Sequence, residues 1–112
     1  MENWAENAGF AVTICDSGGT ITYMNARSRK TFEKYGGGEL IGRRLLDCHP
    51  EPARSRLRAL LKRPAVNAYT IEKAGVRKLI YQAPLMKDGG TGGLVELSME
   101  LPAEMPHFFR KT

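Results

Sequence analysis

The stretch from residue 10 to residue 25 constrains the fold of this chain more than any other. An apolar run, residues 10–15, enters a turn of Asp, Ser and two glycines and leaves as an alternating strand that ends at Asn25. Glycine supplies a positive φ at no steric cost, and an Asp side chain stabilises such a turn by hydrogen bonding. The stretch therefore predicts a β-hairpin, with Asn25 as the N-cap of a helix that begins at Ala26.

Two later motifs follow the hairpin. A glycine-rich turn at 36–38 leads into Leu-Ile-Gly at 40–42, and Cys-His-Pro at 48–50 precedes a further helix. This order of motifs resembles the Per-Arnt-Sim (PAS) family of sensor domains over residues 10–101. The resemblance implies an α+β fold, a five-stranded antiparallel sheet with short helices and one longer helix on one face.

The second half of the chain supplies the elements that this fold needs. Residues 52–63 place Leu57 at the centre of an apolar helical stripe, and Pro64 ends the helix. Residues 66–72 and 77–83 are predicted strands. After a glycine-rich turn at 88–93, residues 94–101 are predicted to form a third strand, because from position 95 onward apolar side chains at odd positions alternate with polar side chains at even positions.

Composition and charge exclude several classes of protein. With 112 residues, 42% of them hydrophobic and 26% charged, the chain is a single domain, residues 1–112, with a short N-terminal segment and a C-terminal tail around the core. The net charge of +5 falls on helices whose other face is apolar, so we expect no nucleic-acid binding. No apolar stretch is long enough to span a membrane. Two cysteines predict reduced thiols and a cytoplasmic protein.

Enzymatic activity is not predicted. The serines lack a nucleophile elbow, and the acidic residues are scattered over turns and strand surfaces. The glycine clusters at 36–38 and 89–93 lack the Gly-Lys-Ser/Thr ending of a phosphate-binding loop, so both are read as turns.

One motif carries side chains that could bind a metal or take part in redox chemistry: Cys48 and His49, followed by Pro50. Some PAS domains hold haem through a histidine near this helix, and the resemblance makes haem at His49 an alternative. The other interpretation is that the three residues shape the turn that enters the helix, with the imidazole bonded to an amide and to the sheet or a ligand. A zinc site would need Cys15, Cys48, His49 and His107, which lack the usual close ligand pairs, so no metal site is predicted.

The resemblance also implies a space between sheet and helices that holds a small molecule in many relatives. Aromatic and sulfur side chains, Phe32 and Met86 among them, are candidates to line it or to form core. The candidate ligand-binding residues are Tyr23, Asn25, Cys48, His49, Leu57, Tyr69, Tyr81 and Met99.

The predicted function is a sensory or interaction module without an output domain of its own. It would bind a small ligand or a partner and pass on a conformational bias. Two alternatives stay open, a haem-binding redox or gas sensor that uses His49 and a structural adaptor whose cavity is filled by its own side chains. The apolar segment around Trp4 and the outer sheet face predict a homodimer, and a signalling protein is the expected partner.

Overall fold

The computed structural model describes residues 3–112, so Met1 and Glu2 of the predicted N-terminal segment lie outside the described residues. Its elements are β1 (Ala11–Cys15), β2 (Ile21–Met24), α1 (Ala26–Thr31), α2 (Ala53–Lys62), β3 (Asn67–Lys73), β4 (Val76–Lys87) and β5 (Gly90–Glu100). Three short 3-10 helices, Glu33–Tyr35, Gly37–Leu40 and Leu45–Cys48, connect α1 to α2. The strands form one antiparallel sheet in the order β2-β1-β5-β4-β3. The helices pack on one face of it, here called the inner face, and the predicted α+β fold is confirmed.

The turn between β1 and β2 forms as its sequence predicts. Asp16 Oδ1 accepts hydrogen bonds from the amides of Gly18 and Thr20, both at 3.0 Å. Gly19 adopts a φ of 87°, a conformation that side chains on L-residues disfavour. The prediction of a hairpin at this position is confirmed.

Asn25 is the N-cap of α1 and also joins α1 to the chain before it. Its Oδ1 accepts from the amides of Ser28 and Val12, each at 2.9 Å. Its Nδ2 donates to the carbonyls of Ala5 at 2.7 Å and Phe10 at 2.9 Å. The side chain is fully buried with all four bonds made, so the cap does more than the predicted local role.

The apolar core lies at one end of the inner face, where α2 and the 3-10 helix before it cover β1, β2 and β5. Leu57, the centre of the predicted helical stripe, has no exposed surface. The Glu51 carboxylate caps α2 by accepting from the Ser55 amide at 2.8 Å and the Ser55 hydroxyl at 2.9 Å. The core cluster consists of Cys15, Ile21, Met24, Leu40, Leu45, Leu46, Cys48, Leu57 and Leu94.

In β5 the polar side chains are buried and the apolar ones are partly exposed, the reverse of an ordinary amphipathic strand. Glu96 and Ser98 are buried, with 3% and 8% of their surface exposed, whereas Val95 and Leu97 are only half-buried. Glu96 stands opposite Thr13 of β1, whose hydroxyl bonds to Ser28 of α1, so the polar side chains point to the helices. The alternation separated the two faces correctly, but alternation does not say which face the helices cover.

The glycine-rich stretch before β5 is not the long turn that was predicted. Only Asp88 and Gly89 turn the chain, and β5 begins at Gly90, because residues 90–93 pair with the end of β4 across a bulge. Gly93 adopts a φ of 141°, and a Cβ there would lie 2.0 Å from the carbonyl oxygen of Cys15. Glycine is required at this position because β1 passes too close for a side chain.

Candidate ligand-binding cleft

A cleft of about 350 Å³ opens on the inner face beside the core, between strands β3 to β5 and the chain that surrounds the end of α1 and the beginning of α2. Its volume lies at the small end of the range for ligand sites, about 300–1,000 Å³. It is lined by Thr31, Phe32, Lys34, Tyr35, Cys48, His49, Pro50, Ala53, Tyr69, Ile71, Lys73, Lys78, Ile80, Glu96 and Ser98.

A chain of hydrogen-bonded polar groups crosses the inner face of the sheet and ends at Glu96, which lines the cleft. Asn67, Gln82 and Glu96 stand opposite one another on three neighbouring strands. Asn67 Nδ2 donates to Gln82 Oε1 at 2.9 Å, and Gln82 Nε2 donates to Glu96 Oε2 at 2.7 Å. Gln82 and Glu96 are almost completely buried, and a buried carboxylate is stable only when it is hydrogen-bonded and paired with a charge.

His49 supplies that charge. Its Nδ1 lies 3.0 Å from the carbonyl oxygen of Leu45, which can only accept, so Nδ1 carries a proton. Its Nε2 lies 2.8 Å from Glu96 Oε2 and donates to it when the ring is an imidazolium. Burial by itself would lower the pKa of His49, but the neighbouring Cys48 side chain, the hydrogen bond to Glu96 and its charge, and the Leu45 carbonyl outweigh it and raise the pKa to about 10. His49 is therefore an imidazolium at neutral pH and donates to Glu96 Oε2.

Two oxygens at the floor have no protein partner. Glu96 uses Oε2 for both of its hydrogen bonds, and neither its Oε1 nor Ser98 Oγ has a partner among residues 3–112. Within the same residues, every fully buried side-chain nitrogen or oxygen has a partner. Both oxygens are therefore accessible, and both residues line the cleft, where they are available to a ligand.

The walls of the cleft are apolar and its rim is basic. The rings of Phe32 and Tyr69 and the side chain of Ile80 form the walls. Burial, and then the negative charge of Glu96, raise the pKa of Tyr69 to about 12 against the opposing effect of Arg56. Three lysines stand around the same opening, Lys34, Lys73 and Lys78. The cleft therefore suits a small molecule with an apolar body and polar ends.

Comparison with known proteins decides the family. A family model described as PAS fold matches residues 5–103, nearly the whole chain. The chain belongs to the PAS family. No curated protein sequence matches it.

Solved structures support the same fold. The sensor region of a sensor histidine kinase superposes with a TM-score of 0.64 at 19% identity, over 89% of this chain and 42% of that chain. The LOV protein of Rhodobacter sphaeroides gives a TM-score of 0.65 at 16% identity, over 88% of this chain and 64% of that chain. The Aer2 receptor of Vibrio cholerae, described as a dual PAS-heme oxygen sensor, gives 0.60 at 14% identity, over 83% of this chain and 95% of that chain. At these identities the likeness shows the PAS fold.

The PAS cleft brings together three of the eight predicted site residues. Cys48, His49 and Tyr69 line it. Asn25 and Leu57 are fully buried away from it, the first in its backbone hydrogen bonds and the second in the core cluster. These two residues hold the structure that surrounds the cleft.

Tyr23, Tyr81 and Met99 were predicted to line the cleft, and that placement is wrong. They stand opposite Ile14, Leu97 and Leu79 respectively, on the outer face of the sheet. Met86 lies outside the cleft as well, with 69% of its surface exposed. Alternation groups residues by face but does not say which group the helices cover, and in β4 and β5 Gln82, Glu96 and Ser98 face the helices in place of Tyr81, Leu97 and Met99.

Glu96, Ser98 and the three lysines of the rim were not predicted. Glu96 could have been found only from the register of the three strands. Asn67 and Gln82 also lie within predicted strands, and three polar residues that stand opposite one another indicate a shared network. The register depends on tertiary pairing, which the sequence pattern does not give.

The site does not fit a haem bound through His49. Both ring nitrogens are engaged, Nδ1 with the Leu45 carbonyl and Nε2 with Glu96. An iron ligand at Nε2 would have to displace Glu96 and leave a buried carboxylate unpaired. Within residues 3–112 no three His, Cys, Asp or Glu side chains are grouped so as to hold a metal ion.

No helix within the same residues is both long and apolar enough to cross a membrane.

Proposed function

We propose that this PAS domain is a sensory module that binds a small molecule in the cleft and transmits its occupancy to a signalling protein, without catalysing a reaction. The observation that carries the proposal is the pair of oxygens, Glu96 Oε1 and Ser98 Oγ, that lack protein partners on the floor of an apolar-walled cleft. A cavity filled by its own side chains, as in a purely structural adaptor, would not leave such groups accessible.

The contacts of Glu96 give binding a route to the rest of the domain. Glu96 belongs to β5 and bonds to His49, which in turn bonds to Leu45 in the segment that leads into α2. A ligand that bonds to Glu96 competes for or reinforces these bonds, and it thereby shifts the position of that segment relative to the sheet. A signal arises only if the ligand favours one of the two arrangements.

The test is a fragment screen followed by amide chemical shifts in the wild type and two variants. Ser98→Leu fills the floor of the cleft, and Thr70→Leu places the same side chain on the outer face of β3 as the matched control. We expect fragments to shift the amides of His49, Tyr69 and Glu96 in the wild type and in Thr70→Leu, and not in Ser98→Leu. If no fragment shifts these amides in the folded wild type, the cleft is not a ligand site and the adaptor interpretation replaces this one.

We further propose that two copies of the chain pair through their outer faces. A groove of about 450 Å³ there is lined mainly by apolar side chains, with one amide: Asn3, Trp4, Ala5, Val12, Ile14, Tyr23, Leu85, Val95 and Leu97. Trp4 leaves 71% of its surface exposed and Tyr81 38%. No charged residue lines this groove, and an uncharged apolar surface is complementary to itself, as a symmetric dimer requires.

Sedimentation of the wild type against Trp4→Ala and Phe108→Ala tests the dimer. Both aromatic side chains are exposed, but Phe108 lies in the C-terminal tail, outside that groove. We expect association that weakens only in Trp4→Ala. A wild type that stays monomeric at high micromolar concentration would overturn the proposal.

The two cysteines are free thiols in the structure, which supports a cytoplasmic location as part of the same proposal.

A further inference from the structure

The cleft floor selects for a hydrogen-bond donor. The oxygen that Glu96 leaves free belongs to a carboxylate, and a carboxylate only accepts. Its other oxygen is already bonded to Gln82 and His49, and these two bonds fix the group in place. Ser98, two positions further along the same face of β5, also lines the cleft, and its Oγ serves as donor or acceptor. A ligand end that reaches the floor must therefore carry an O–H or N–H group, and a ligand without one would leave Glu96 Oε1 without a partner.

The rim selects for negative charge. Lys34, Lys73 and Lys78 line the cleft, and none of them forms a salt bridge within residues 3–112. A second groove of about 290 Å³ shares Lys78 and Ser98 with the cleft and adds Arg27 and Lys30. The acidic residues that line the two spaces are Glu100 and Glu96, and the charge of Glu96 is paired with His49. The opening therefore attracts anions.

The walls between floor and rim select for an aromatic body. Phe32 and Tyr69 present rings, and Ile80 presents an aliphatic surface. Planar rings pack well against such walls. Resting on the proposed function of the cleft, we propose that its ligand is a small aromatic carboxylic acid with a hydroxyl or N–H group at the end opposite the carboxylate. The donor binds Glu96 and Ser98, the ring lies between Phe32 and Tyr69, and the carboxylate meets the lysines.

Three probes of nearly equal size test this assignment in titrations followed by amide shifts. They are 4-hydroxyphenylacetate, phenylacetate, which lacks the hydroxyl, and tyramine, which replaces the carboxylate by an ammonium. We expect 4-hydroxyphenylacetate to bind most tightly, with phenylacetate about tenfold weaker because a bond to a charged acceptor is lost. Tyramine should be at least about tenfold weaker, and its binding should not weaken as salt is added, whereas that of the two acids should.

Variants separate the rim from the general charge of the protein. The double variant Lys73→Gln with Lys78→Gln should reduce the affinity for both acids and bring tyramine closer to them. The matched control, Lys62→Gln with Lys87→Gln, makes the same change in net charge at lysines that do not line the cleft, and it should leave all three affinities unchanged. Ser98→Ala should weaken 4-hydroxyphenylacetate and leave phenylacetate unchanged.

The outcomes distinguish the two proposals. If tyramine shifts the cleft amides as strongly as 4-hydroxyphenylacetate, or if phenylacetate binds equally well, the assigned ligand class is wrong and the cleft remains a ligand site. If the control pair reduces affinity as much as the rim pair, the lysines act only through net charge and the assignment also fails. If none of the probes or screened fragments shifts the cleft amides of the folded protein, both the ligand class and the proposed function fail.

Discussion

The inner and outer faces of the sheet differ in the polarity of their side chains and in how deeply those side chains are buried. The inner face carries Thr13, Gln82, Glu96 and Ser98, which are buried, yet the first three are hydrogen-bonded to other side chains. The outer face carries apolar side chains such as Leu97, which stay half-buried. An antiparallel sheet with one covered face usually places apolar side chains under the cover. The difference shows that hydrogen bonds organise part of the helix-covered face, while apolar side chains on the other face stay partly exposed.

The largest expected effect comes from breaking the buried pair on the inner face. Glu96→Ala leaves an imidazolium at His49 and an amide at Gln82 without their acceptor, which should lower the free energy of unfolding by about 3–5 kcal/mol. Glu100→Ala, at the exposed end of the same face, should change it by less than about 0.5 kcal/mol. Denaturant melts measure both values. Equal effects would mean that the inner face is not held together by its polar network.

Next come matched leucine deletions on the two sides of the sheet. Leu57→Ala opens a cavity in the core that packs on the inner face, at a cost of about 2–5 kcal/mol. Leu97→Ala removes a half-buried side chain from the outer face and should cost about 1 kcal/mol or less in the monomer. Melts at low protein concentration compare them. An equal loss for Leu97→Ala in the monomer would show that the outer face is already fully packed within one chain.

Asn25→Ala should cost about 2–3 kcal/mol, more than an ordinary helix cap, because four backbone groups lose a buried partner. Asn25→Asp keeps the acceptor for Val12 and Ser28 but places a carboxylate against the carbonyls of Ala5 and Phe10, so it should not restore stability. Asn67→Ala, at the half-buried end of the polar network, is the matched control and should cost less. Chemical denaturation ranks the three. A cost for Asn25→Ala above that of Leu57→Ala would contradict the assigned order.

The smallest effect is the pH dependence that the His49 pair imposes. The pKa of His49 is about 10 in the folded protein and near 6.5 when unfolded, so the stabilisation from its proton is complete below pH 6.5 and is lost as pH rises toward 10. Between pH 7 and pH 8 the free energy of unfolding should fall by at most about 1.4 kcal/mol. Thermal melts of the wild type and of His49→Gln measure the difference. A fall of the same size in His49→Gln would show that another group is responsible.

Local signals in the sequence predicted the elements, and tertiary pairing decided the site. The turn at Asp16, the cap at Asn25 and the stripe through Leu57 are set within a few residues, so they could be predicted. The inward orientation of Glu96 depends on which face the helices cover, and the strand that includes Gly93 depends on how closely β1 approaches. Neither is encoded in a short window of sequence.

The hydrogen bonds of Asn25 determine how the first quarter of the chain opens. This one side chain forms hydrogen bonds with backbone groups of Ala5, Phe10, Val12 and Ser28, which lie up to 20 residues from it along the chain. None of these segments can detach alone without leaving a buried amide or carbonyl unbonded, so they open together or not at all. The amides of Val12 and Ser28 share one acceptor oxygen, so we expect both to exchange slowly and through the same opening. We therefore expect residues 5–28, which hold the first strand and the start of the first helix, to open as one cooperative unit.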